Sequence, residues 1–486
     1  MKIFFLFSFF SLTSYSSTIT VGSKSFTESY VLSEIFSQLL ENNTSHQIKR
    51  KYGLSGSGIT FQALENKKID FYIEYTGTIS KIFLKEKKPL SYEEIQNKLK
   101  KNNLIMSPPL GFNNTYALAV KRSFAKKYDL KNISDLKKVP QLKVAFTYEF
   151  MNRADGYPAL KKKYDFKWSQ IEAMEHSLAY TAIENNNVHL IDAYSTDAKI
   201  EKLDLITLKD NLNFFPDYHA VILTRIDFVK NFPLVWKKIL EQKNSISDKK
   251  MIHLNAQAEI EKLSFQKIAS LHWGDQSSTK NNLKWKQLKK YTLEHLYLVF
   301  ISLLFSVFIG VPLGVIGHQI KKIGQIILAL SGMIQTIPSL ALLCFLIPLF
   351  GIGETNAIIA LILYGLLPII RNTYAGLESI DPKLRESAKS LGLKPLLRLL
   401  KIEIPLASIQ ILSGIKTTAI ISVGVATLAA FIGAGGLGTF IVTGLALNDI
   451  PTILLGAIPS ALLALSVHFL FEWIDFLVIP KGLKIR

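Results

Sequence analysis

The sequence has very little of the chemistry that most enzymes and metalloproteins need. Its single cysteine, Cys344, excludes an intrachain disulfide and a cysteine-rich metal cluster. The nine histidines are scattered without metal-ligand spacing, and no nucleophile–base arrangement stands out. The chain also lacks the Gly-Lys dipeptide that a P-loop uses to place an amine on nucleotide phosphates. We therefore expect a protein that is not an enzyme, binds no metal or cofactor and has no ATPase site of its own.

Acidic residues are scarce relative to basic ones. The 57 lysines and arginines against 38 aspartates and glutamates give a net charge of +19. A basic excess can indicate nucleic-acid binding, but no nucleic-acid-binding module accompanies it here. Long apolar runs instead dominate roughly the last 190 residues. Basic residues beside membrane spans explain the charge more simply, so we expect membrane lipids and no nucleic acid as partners.

The N-terminus has the features of a secretory signal. In "MKIFFLFSFFSLTSYSS" one lysine precedes an apolar core from Ile3 to Phe10, and small residues follow at Ser14 and Ser16. The core is too short to span a bilayer, and the Ser-x-Ser spacing suits a signal peptidase. We predict a signal peptide over residues 1–17, with an uncleaved signal anchor as the alternative. The following region is then expected to be exported.

Residues 18–275 have the pattern of an α/β region. Short β-branched or aromatic runs alternate with lysine-rich helical stretches such as 28–41 and 178–186. The candidate strands are "TITVGS", "IDFYIEY", "TYALAV", "LKVAF", "VHLIDAY" and "YHAVILT". A polar linker over 276–292 then leads into apolar sequence.

The remainder, 293–480, predicts an all-α membrane domain followed by a cytoplasmic tail at 481–486. Each of five apolar stretches approaches or exceeds the roughly 20 residues that a span requires. They cover 293–317, 325–350, 355–377, 406–432 and 452–479. Prolines and glycines inside them are tolerated because neighbouring helices satisfy the freed backbone groups.

The distribution of basic residues supports one topology for these spans. If the exported region lies outside, residues 318–324, 378–405 and 480–486 lie in the cytoplasm, and all three segments are rich in lysine or arginine. The two outside loops, "GIGETN" and "GAGGLGTFIVTGLALNDI", contain neither residue. Lys284, Lys286, Lys289 and Lys290 disagree with the rule, but a cluster attached to a long translocated domain can escape it.

The longest of the cytoplasmic segments carries a motif. Glu386, Ser387 and Ala388 precede Gly392, and an Ile-x-Ile-Pro sequence ends at Pro405. This pattern resembles the coupling loop of ABC-importer permeases, in which a short helix docks on a separate ATPase subunit. Small residues allow close approach to a partner, and glycine permits the turn out of the helix. An interfacial amphipathic helix is the alternative, but it does not explain the spacing.

The resemblance extends over residues 290–480. The segments that carry it are "QTIPSLALL", "YGLLPIIRNTYAGL", "DPKLRESAKSLG" and "FIGAGGLG". They resemble the type I permeases of osmoprotectant importers for glycine betaine, choline and carnitine. Such importers need two permease halves, so the resemblance implies a second copy of this chain and an ABC ATPase subunit that uses ATP.

The first half resembles the binding proteins of the same importers. The matching segments are "GSKSFTE", "EYTGT", "NNTYALAV", "RADGYPAL", "DAYSTD" and "FPDYHAV". The resemblance implies a type II periplasmic-binding-protein fold with two α/β lobes closing on a ligand. Chain crossings near 117–122 and 217–222 place 18–118 and 220–275 in lobe one and 119–219 in lobe two.

The residues in these segments suit a betaine. A trimethylammonium group has no N–H to donate, so proteins hold it against aromatic faces. By resemblance the cage comprises Tyr75, Tyr116, Tyr194 and Tyr218, each at or near a predicted strand end. The resemblance assigns the ligand carboxylate to Lys24, Thr78 and Arg153, which offer a positive charge, a hydroxyl and a bidentate fork. A solvated Lys24 and an Arg153–Asp155 ion pair are the alternatives. The residues Ser25 to Glu28 also predict a capping box on the first helix.

These features together predict a fused receptor and permease of an ABC importer for a quaternary-ammonium solute. Glycine betaine, choline, carnitine, proline betaine and ergothioneine are all candidates. The expected location is a bacterial cytoplasmic (inner) membrane, with the binding domain on the periplasmic or extracellular side. A ligand-gated channel with a two-lobed receptor is the alternative. Such channels insert the pore between lobe segments, whereas both lobes here end before the first span.

Overall fold

The computed structural model describes residues 17–86, 90–139, 141–153, 156–274, 282–447 and 449–479. The predicted signal peptide, apart from its last residue, lies outside the described residues. The same is true of the first part of the predicted linker and of the predicted tail at 481–486.

Two five-stranded sheets organise the first half of the described chain. In chain order the strands are β1 (Thr18–Lys24), β2 (Gln47–Leu54), β3 (Phe71–Tyr75), β4 (Leu104–Met106), β5 (Tyr116–Lys121), β6 (Lys143–Thr147), β7 (Gln170–Met174), β8 (Leu190–Tyr194), β9 (Leu205–Leu208) and β10 (Ala220–Arg225). Sheet one has the order β2-β1-β3-β10-β4, and sheet two has the order β7-β6-β8-β5-β9. Each sheet forms the centre of one lobe, so the two-lobed α/β fold is confirmed.

The chain passes between the lobes twice. It leaves sheet one after β4 and returns to it at β10, so the two connections lie at 107–115 and 209–219. The first connection precedes the predicted crossing at 117–122, because β5 pairs along its whole length with β8 and β9 of sheet two. Residues at the start of β5 therefore face the gap between the lobes.

Helices cover the faces of both sheets. In lobe one and its C-terminal return they are Thr27–Asn43, Gly56–Glu65, Thr76–Thr78, Ile79–Phe83, Tyr92–Lys101, Ile226–Asn231, Pro233–Leu240, Asp248–Glu259 and Phe265–His272. In lobe two they are Arg122–Tyr128, Ile133–Lys138, Tyr148–Asn152, Tyr157–Tyr164, His176–Glu184 and Lys199–Lys202. The apolar faces of the longer helices pack on the sheets to form the cores of the lobes.

The first of these helices begins without the predicted capping box. Its N-cap is Phe26, whose side chain makes no capping hydrogen bond, and the helix starts at Thr27. The Glu28 carboxylate is buried and hydrogen-bonds to side chains outside the helix. The capping-box prediction is therefore wrong, because tertiary partners use the glutamate that would have closed the box.

The second half of the chain is helical. Its helices are Asn282–Gln319, Lys321–Thr336, Ser339–Phe350, Glu354–Glu378, Pro382–Ser390, Pro395–Arg398, Leu399–Glu403, Ile404–Ala426, Thr427–Ile432, Gly438–Leu447 and Ile450–Val478. The first begins at Asn282, so the second part of the predicted linker, 282–292, is helical and continues into the first span. Four helices of the described chain are long and apolar enough to cross a membrane.

The second predicted span, 325–350, is not one straight helix. Lys321–Thr336 and Ser339–Phe350 meet at a bend of 103°, with Pro338 at the N-cap of the second helix. Proline supplies no backbone N–H and disfavours helical geometry at the residue before it, so the helix stops at Thr336. The number of spans is therefore four, or five if the bent pair counts as one.

The predicted outer loop after Ile432 contains a short helix that contacts the two-lobed region. Ser177 of lobe two donates its hydroxyl to the Leu445 carbonyl at 2.8 Å. Lys262 of lobe one donates its ammonium group to the Leu447 carbonyl at 2.8 Å. Ala446 between them is buried in the hydrophobic core of the lobes. The last turn of the helix Gly438–Leu447 thus contacts both lobes.

The charged loop at 379–403 lies at the opposite end of the bundle. At the first end of the helix Glu354–Glu378, Gly353 lies against Lys51 of lobe one. At the C-terminal end of the same helix, the Arg385 guanidinium donates to the Leu377 carbonyl. A helix of 25 residues is about 37 Å long. The helix therefore separates the lobes from the loop by about the thickness of a membrane.

Candidate functional site

All seven residues predicted to bind a ligand line one cavity between the lobes. They are Lys24, Tyr75, Thr78, Tyr116, Arg153, Tyr194 and Tyr218. The cavity volume is about 30 Å³, so side chains nearly fill the space and the lobes are closed on each other. Phe26, Ser57, Asn114 and Glu149 complete the wall. The cavity is therefore built of aromatic faces, two cations and a few hydrogen-bonding groups.

Strand register brings the tyrosines together. Tyr116 begins β5 and pairs directly with Tyr194 at the end of β8, and their ring centroids are 5.1 Å apart. The Tyr218 ring stands edge-on to Tyr116, at 5.7 Å and 81°. Tyr75 ends β3 in the other lobe. Rings from both lobes thus face a common space, which is the geometry that holds a cation without N–H groups.

A glycine allows one of these rings to approach the backbone. A Cβ atom placed on Gly77 would lie 2.5 Å from the Tyr218 ring, which is closer than real contacts allow. The "EYTGT" segment therefore contributes more than Tyr75 and Thr78 to the site. Its glycine makes room for Tyr218 from the connection before β10.

Lys24 is buried in an ion pair. Its side chain is 6% exposed, and its ammonium group lies 2.6 Å from the Glu74 carboxylate. The same group lies 4.8 Å from the Tyr75 ring centroid and 5.6 Å from that of Phe26. The alternative of a solvated loop lysine is therefore wrong. Its positive charge is held at the edge of the cavity.

Arg153 approaches the cavity from lobe two. Its guanidinium donates to Glu149 at 3.1 Å and to the Thr78 hydroxyl of lobe one at 3.3 Å. The guanidinium carbon lies 5.4 Å from the Tyr116 ring centroid. Asp155, its alternative partner, lies outside the described residues. Arg153 and Thr78 thus join the lobes beside the tyrosines.

The buried cations determine the ionisation of Glu149. Burial alone would raise the pKa of this carboxyl, but Arg153 and Lys24 outweigh burial and hold its pKa below the ordinary value. Glu149 also accepts a hydrogen bond from Ser57 at 2.8 Å. The site therefore holds its own counter-charges, and an incoming carboxylate would compete with Glu149 for Arg153.

Sequence reasoning missed several residues of the cavity wall. The Phe26 ring lies 6.3 Å from Tyr75 and 5.8 Å from Tyr194, so it belongs to the same aromatic surface. Phe26 and Asn114 lie in the segments "GSKSFTE" and "NNTYALAV", whose resemblance to binding proteins could have identified both residues. Glu149 lies outside those segments and became visible only in the structure.

The charged loop has the predicted helix–glycine–helix form. The helix Pro382–Ser390 is capped by Asp381, and Gly392 follows with φ of 73°, a left-handed conformation that favours glycine. Pro405 lies in the first turn of Ile404–Ala426. Buried Glu403 accepts from Arg398 at 2.9 Å and lies 3.8 Å from Arg385. Ion pairs thus fix the loop to the start of the next helix.

The predicted coupling residues of this loop differ in exposure. Glu386 and Ser387 are exposed, but Ala388 is 2% exposed and packs against its own chain. The exposed surface of this helix therefore includes Glu386 and Ser387 but not Ala388. Leu391 is 79% exposed and Leu396 65% exposed beside the helix. These leucines, which sequence reasoning did not single out, make the loop surface partly apolar.

Two protein families match the chain. Residues 17–274 match the substrate-binding domain of ABC-type glycine betaine transport systems. Residues 306–480 match the inner-membrane component of binding-protein-dependent transport systems. The two matches together cover most of the chain in the order that the sequence predicted.

Individual proteins show the same similarity. Over 193 residues the chain is 41% identical to a choline transport permease of Bacillus subtilis (strain 168), covering 40% of this chain and 89% of that protein. Over 256 residues it is 35% identical to an ergothioneine transport permease and binding protein of Helicobacter pylori (strain G27), covering 52% of this chain and 46% of that protein. A solved glycine betaine/carnitine/choline ABC transporter structure is 29% identical with a TM-score of 0.46, covering 53% of this chain and 97% of that one.

A partly buried histidine lies beside the cavity residue Tyr194. His176 Nε2 lies 3.0 Å from Asp197 Oδ2, which also accepts from the Tyr180 hydroxyl and the Tyr194 amide. The His176 ring lies 4.7 Å from the Tyr194 ring. Burial alone would lower the pKa of His176, but Asp197 raises it to about 9. The imidazolium therefore braces the strand end that carries Tyr194.

This ion pair predicts a pH dependence of stability. The pKa of His176 is higher in the folded chain than its ordinary value of 6.5, so folding is favoured by proton binding. The contribution is complete below pH 6.5 and is lost as pH rises through about 9. Thermal unfolding of the full chain and of H176Q across this range measures it. We expect the wild type to lose its advantage over H176Q with rising pH; a constant difference would contradict the assignment.

Proposed function

The chain belongs to the ABC-importer family whose members carry a glycine-betaine-type substrate-binding domain, here fused to an inner-membrane permease domain, and from this membership we propose that it takes up a quaternary-ammonium betaine. The observation that carries the proposal is the convergence of seven residues from both lobes on one aromatic cavity. The cavity belongs to the same chain as the permease helices, and the short helix Gly438–Leu447 contacts both lobes.

The aromatic faces would hold the trimethylammonium group. Tyr75, Tyr116, Tyr194 and Tyr218 present rings that attract a cation without requiring a hydrogen-bond donor. Phe26 adds a fifth ring at the Tyr75–Tyr194 side. Because the lobes are closed around little space, ligand entry requires them to separate. Each lobe would then contribute part of the site, and the ligand would be captured when the two lobes close on its cationic group.

The ligand carboxylate would lie against Arg153, Thr78 and Lys24. Arg153 and Thr78 already meet across the lobes at 3.3 Å, so a carboxylate between them would tie the lobes together. Lys24 and Glu74 supply a positive charge and its counter-charge at the same edge. Choline lacks a carboxylate and would forgo this part of the site. We therefore favour a zwitterion over choline.

The transport machinery would consist of more than this chain. We propose two copies of it, which supply two permease halves, and a separate ABC ATPase subunit that uses the ATP. The loop of Glu386, Ser387, Ala388, Gly392 and Pro405 would dock on that ATPase through its exposed side, including Leu391 and Leu396. The chain itself would bind no cofactor.

The expected location is the cytoplasmic (inner) membrane of a bacterium, with the lobes outside. Apolar helices make this a membrane protein, and about 37 Å of helix separates the lobes from the loop. Covalent attachment raises the effective concentration of the receptor at the permease. Capture would then depend less on diffusion of a free binding protein.

The aromatic cage predicts the effect of one substitution. Calorimetry on the full chain in nanodiscs should show binding of at least one of glycine betaine, carnitine, proline betaine and ergothioneine. Y194A removes a ring from the cage and should lower the affinity of that ligand roughly tenfold or more, as expected for a desolvated cation–π contact. Y194F keeps the ring and should retain most of the affinity.

A matched control separates the cage from general damage. Tyr148 is 61% exposed on lobe two, so Y148A should leave affinity unchanged. Equal affinities for Y194A, Y148A and the wild type would reject the cage. Failure of every trimethylated ligand to bind the wild type would reject the proposed substrate class.

The loop assignment predicts a separation of binding from transport. S387W places a large ring on the exposed loop helix and should abolish uptake of the bound ligand in cells that contain the complete importer. Ligand affinity of the purified chain should not change, since the lobes lie at the other end of the bundle. K322W, at an exposed position of another predicted cytoplasmic segment, is the control. Normal uptake by S387W would contradict docking through this helix.

A further inference from the structure

One buried carboxylate beside the cavity has no place in the ligand contacts proposed above. Glu28 is 2% exposed and lies in the first turn of Thr27–Asn43. Burial raises the pKa of its carboxyl, and four side-chain hydrogen bonds oppose this shift. Burial of a carboxylate costs free energy because the group loses its water, and hydrogen bonds must compensate this loss. Its partners therefore indicate what the group does.

Two of the four partners of Glu28 line the aromatic cavity. The Tyr75 hydroxyl donates to Glu28 Oε1 at 2.5 Å. The Asn114 amide donates to the same oxygen at 2.8 Å, from the connection that leads into lobe two. Both residues line the aromatic cavity. Glu28 thus fixes the hydroxyl end of a cage tyrosine, and with it the direction of the ring.

The other oxygen of Glu28 reaches the opposite lobe. Thr196, two residues beyond β8, donates its hydroxyl to Glu28 Oε2 at 2.6 Å. Asn255 of Asp248–Glu259 donates its amide both to Glu28 Oε2, at 3.1 Å, and to the Thr196 carbonyl, at 3.0 Å. Thr196 is 1% exposed. These bonds join lobe one to lobe two and require the lobes to be closed.

We propose that Glu28 is a latch that couples ligand capture to lobe closure, because one carboxylate orients the cage tyrosine Tyr75 and binds Thr196 of the facing lobe. This inference rests on the proposed function, since it assigns Tyr75 to the ligand cage. Glu28 is a positioning residue: it acts on the ligand through Tyr75. When the lobes separate, Glu28 loses the Thr196 hydroxyl and gains water.

The latch also lies next to the permease. Glu28, Asn255 and Tyr194 line a second, smaller cavity together with Ala446 of the membrane domain. Ala446 lies between the two carbonyls that bind Ser177 and Lys262. The closed latch is therefore placed where the permease contacts both lobes.

Thr196 offers a sharp test, because T196V removes the hydroxyl with little change in shape and T196S keeps it. Dyes on cysteines at the exposed positions Lys101 of lobe one and Lys161 of lobe two, in a C344S background, report lobe distance by single-molecule energy transfer in the full chain. T196V should lower the closed-to-open ratio roughly tenfold, as expected for one charge-assisted hydrogen bond. T196S should match the wild type, and E28Q should open the lobes as T196V does.

Binding measurements extend the test. Glycine betaine, carnitine, proline betaine and ergothioneine are titrated in turn, and a ligand that binds the wild type should lose affinity for T196V by about the same factor as the closed fraction falls. The unfolding temperature of the unliganded T196V chain should stay near that of T196S. Equal closed fractions for T196V, T196S and the wild type would overturn the latch. If no ligand changes the wild-type signal, the proposed substrate fails, and the unliganded closed fraction still decides the latch.

Discussion

The length of the membrane bundle fixes how far apart the lobes and the charged loop lie. The helix Glu354–Glu378 meets lobe one near Gly353 and meets the charged loop near Leu377. The points where lobe one and the charged loop contact this helix are therefore about 37 Å apart, given 1.5 Å of rise per residue. A connection over this distance needs rigid helices and firm contacts at both ends. Ala446 between the lobes and Glu403 beneath the loop are such contacts.

The sequence predicted the centre of each sheet better than its edges. All six strands recognised from the sequence lie in sheet interiors, where both faces are buried and apolar residues run together. The four missed strands, β2, β4, β7 and β9, are the four sheet edges. The strands β2 and β7 carry polar or charged side chains, as in "QIKRKYGL", which weakens their apolar signal. The strands β4 and β9 are mostly apolar but only 3 and 4 residues long, so they give little signal as well. The bend at Pro338 was missed because the stretch 325–350 is apolar enough overall to fit a straight span, in which a proline can be tolerated.

The site was predictable where a motif carried it. The seven predicted residues line one cavity because they lie at or near the ends of strands, and these strand ends meet between the lobes. The hydrogen-bond partners of Glu28 were not predictable from the local sequence pattern. Its spacing from Ser25 fits a capping box, but Thr196 and Asn255, distant in sequence, supply its partners. Likewise, whether Ala388 faces a partner or its own chain depends on tertiary packing.

We propose that the lobes and the charged loop lie on opposite sides of one membrane. The single native cysteine makes this testable, since C344S provides a background for cysteines at Tyr148 on lobe two and Ser387 on the loop, both exposed. A membrane-impermeant maleimide should label Y148C in intact cells and label S387C only after the cytoplasmic membrane is permeabilised. Labelling of both positions in intact cells, or of neither before permeabilisation, would contradict the account.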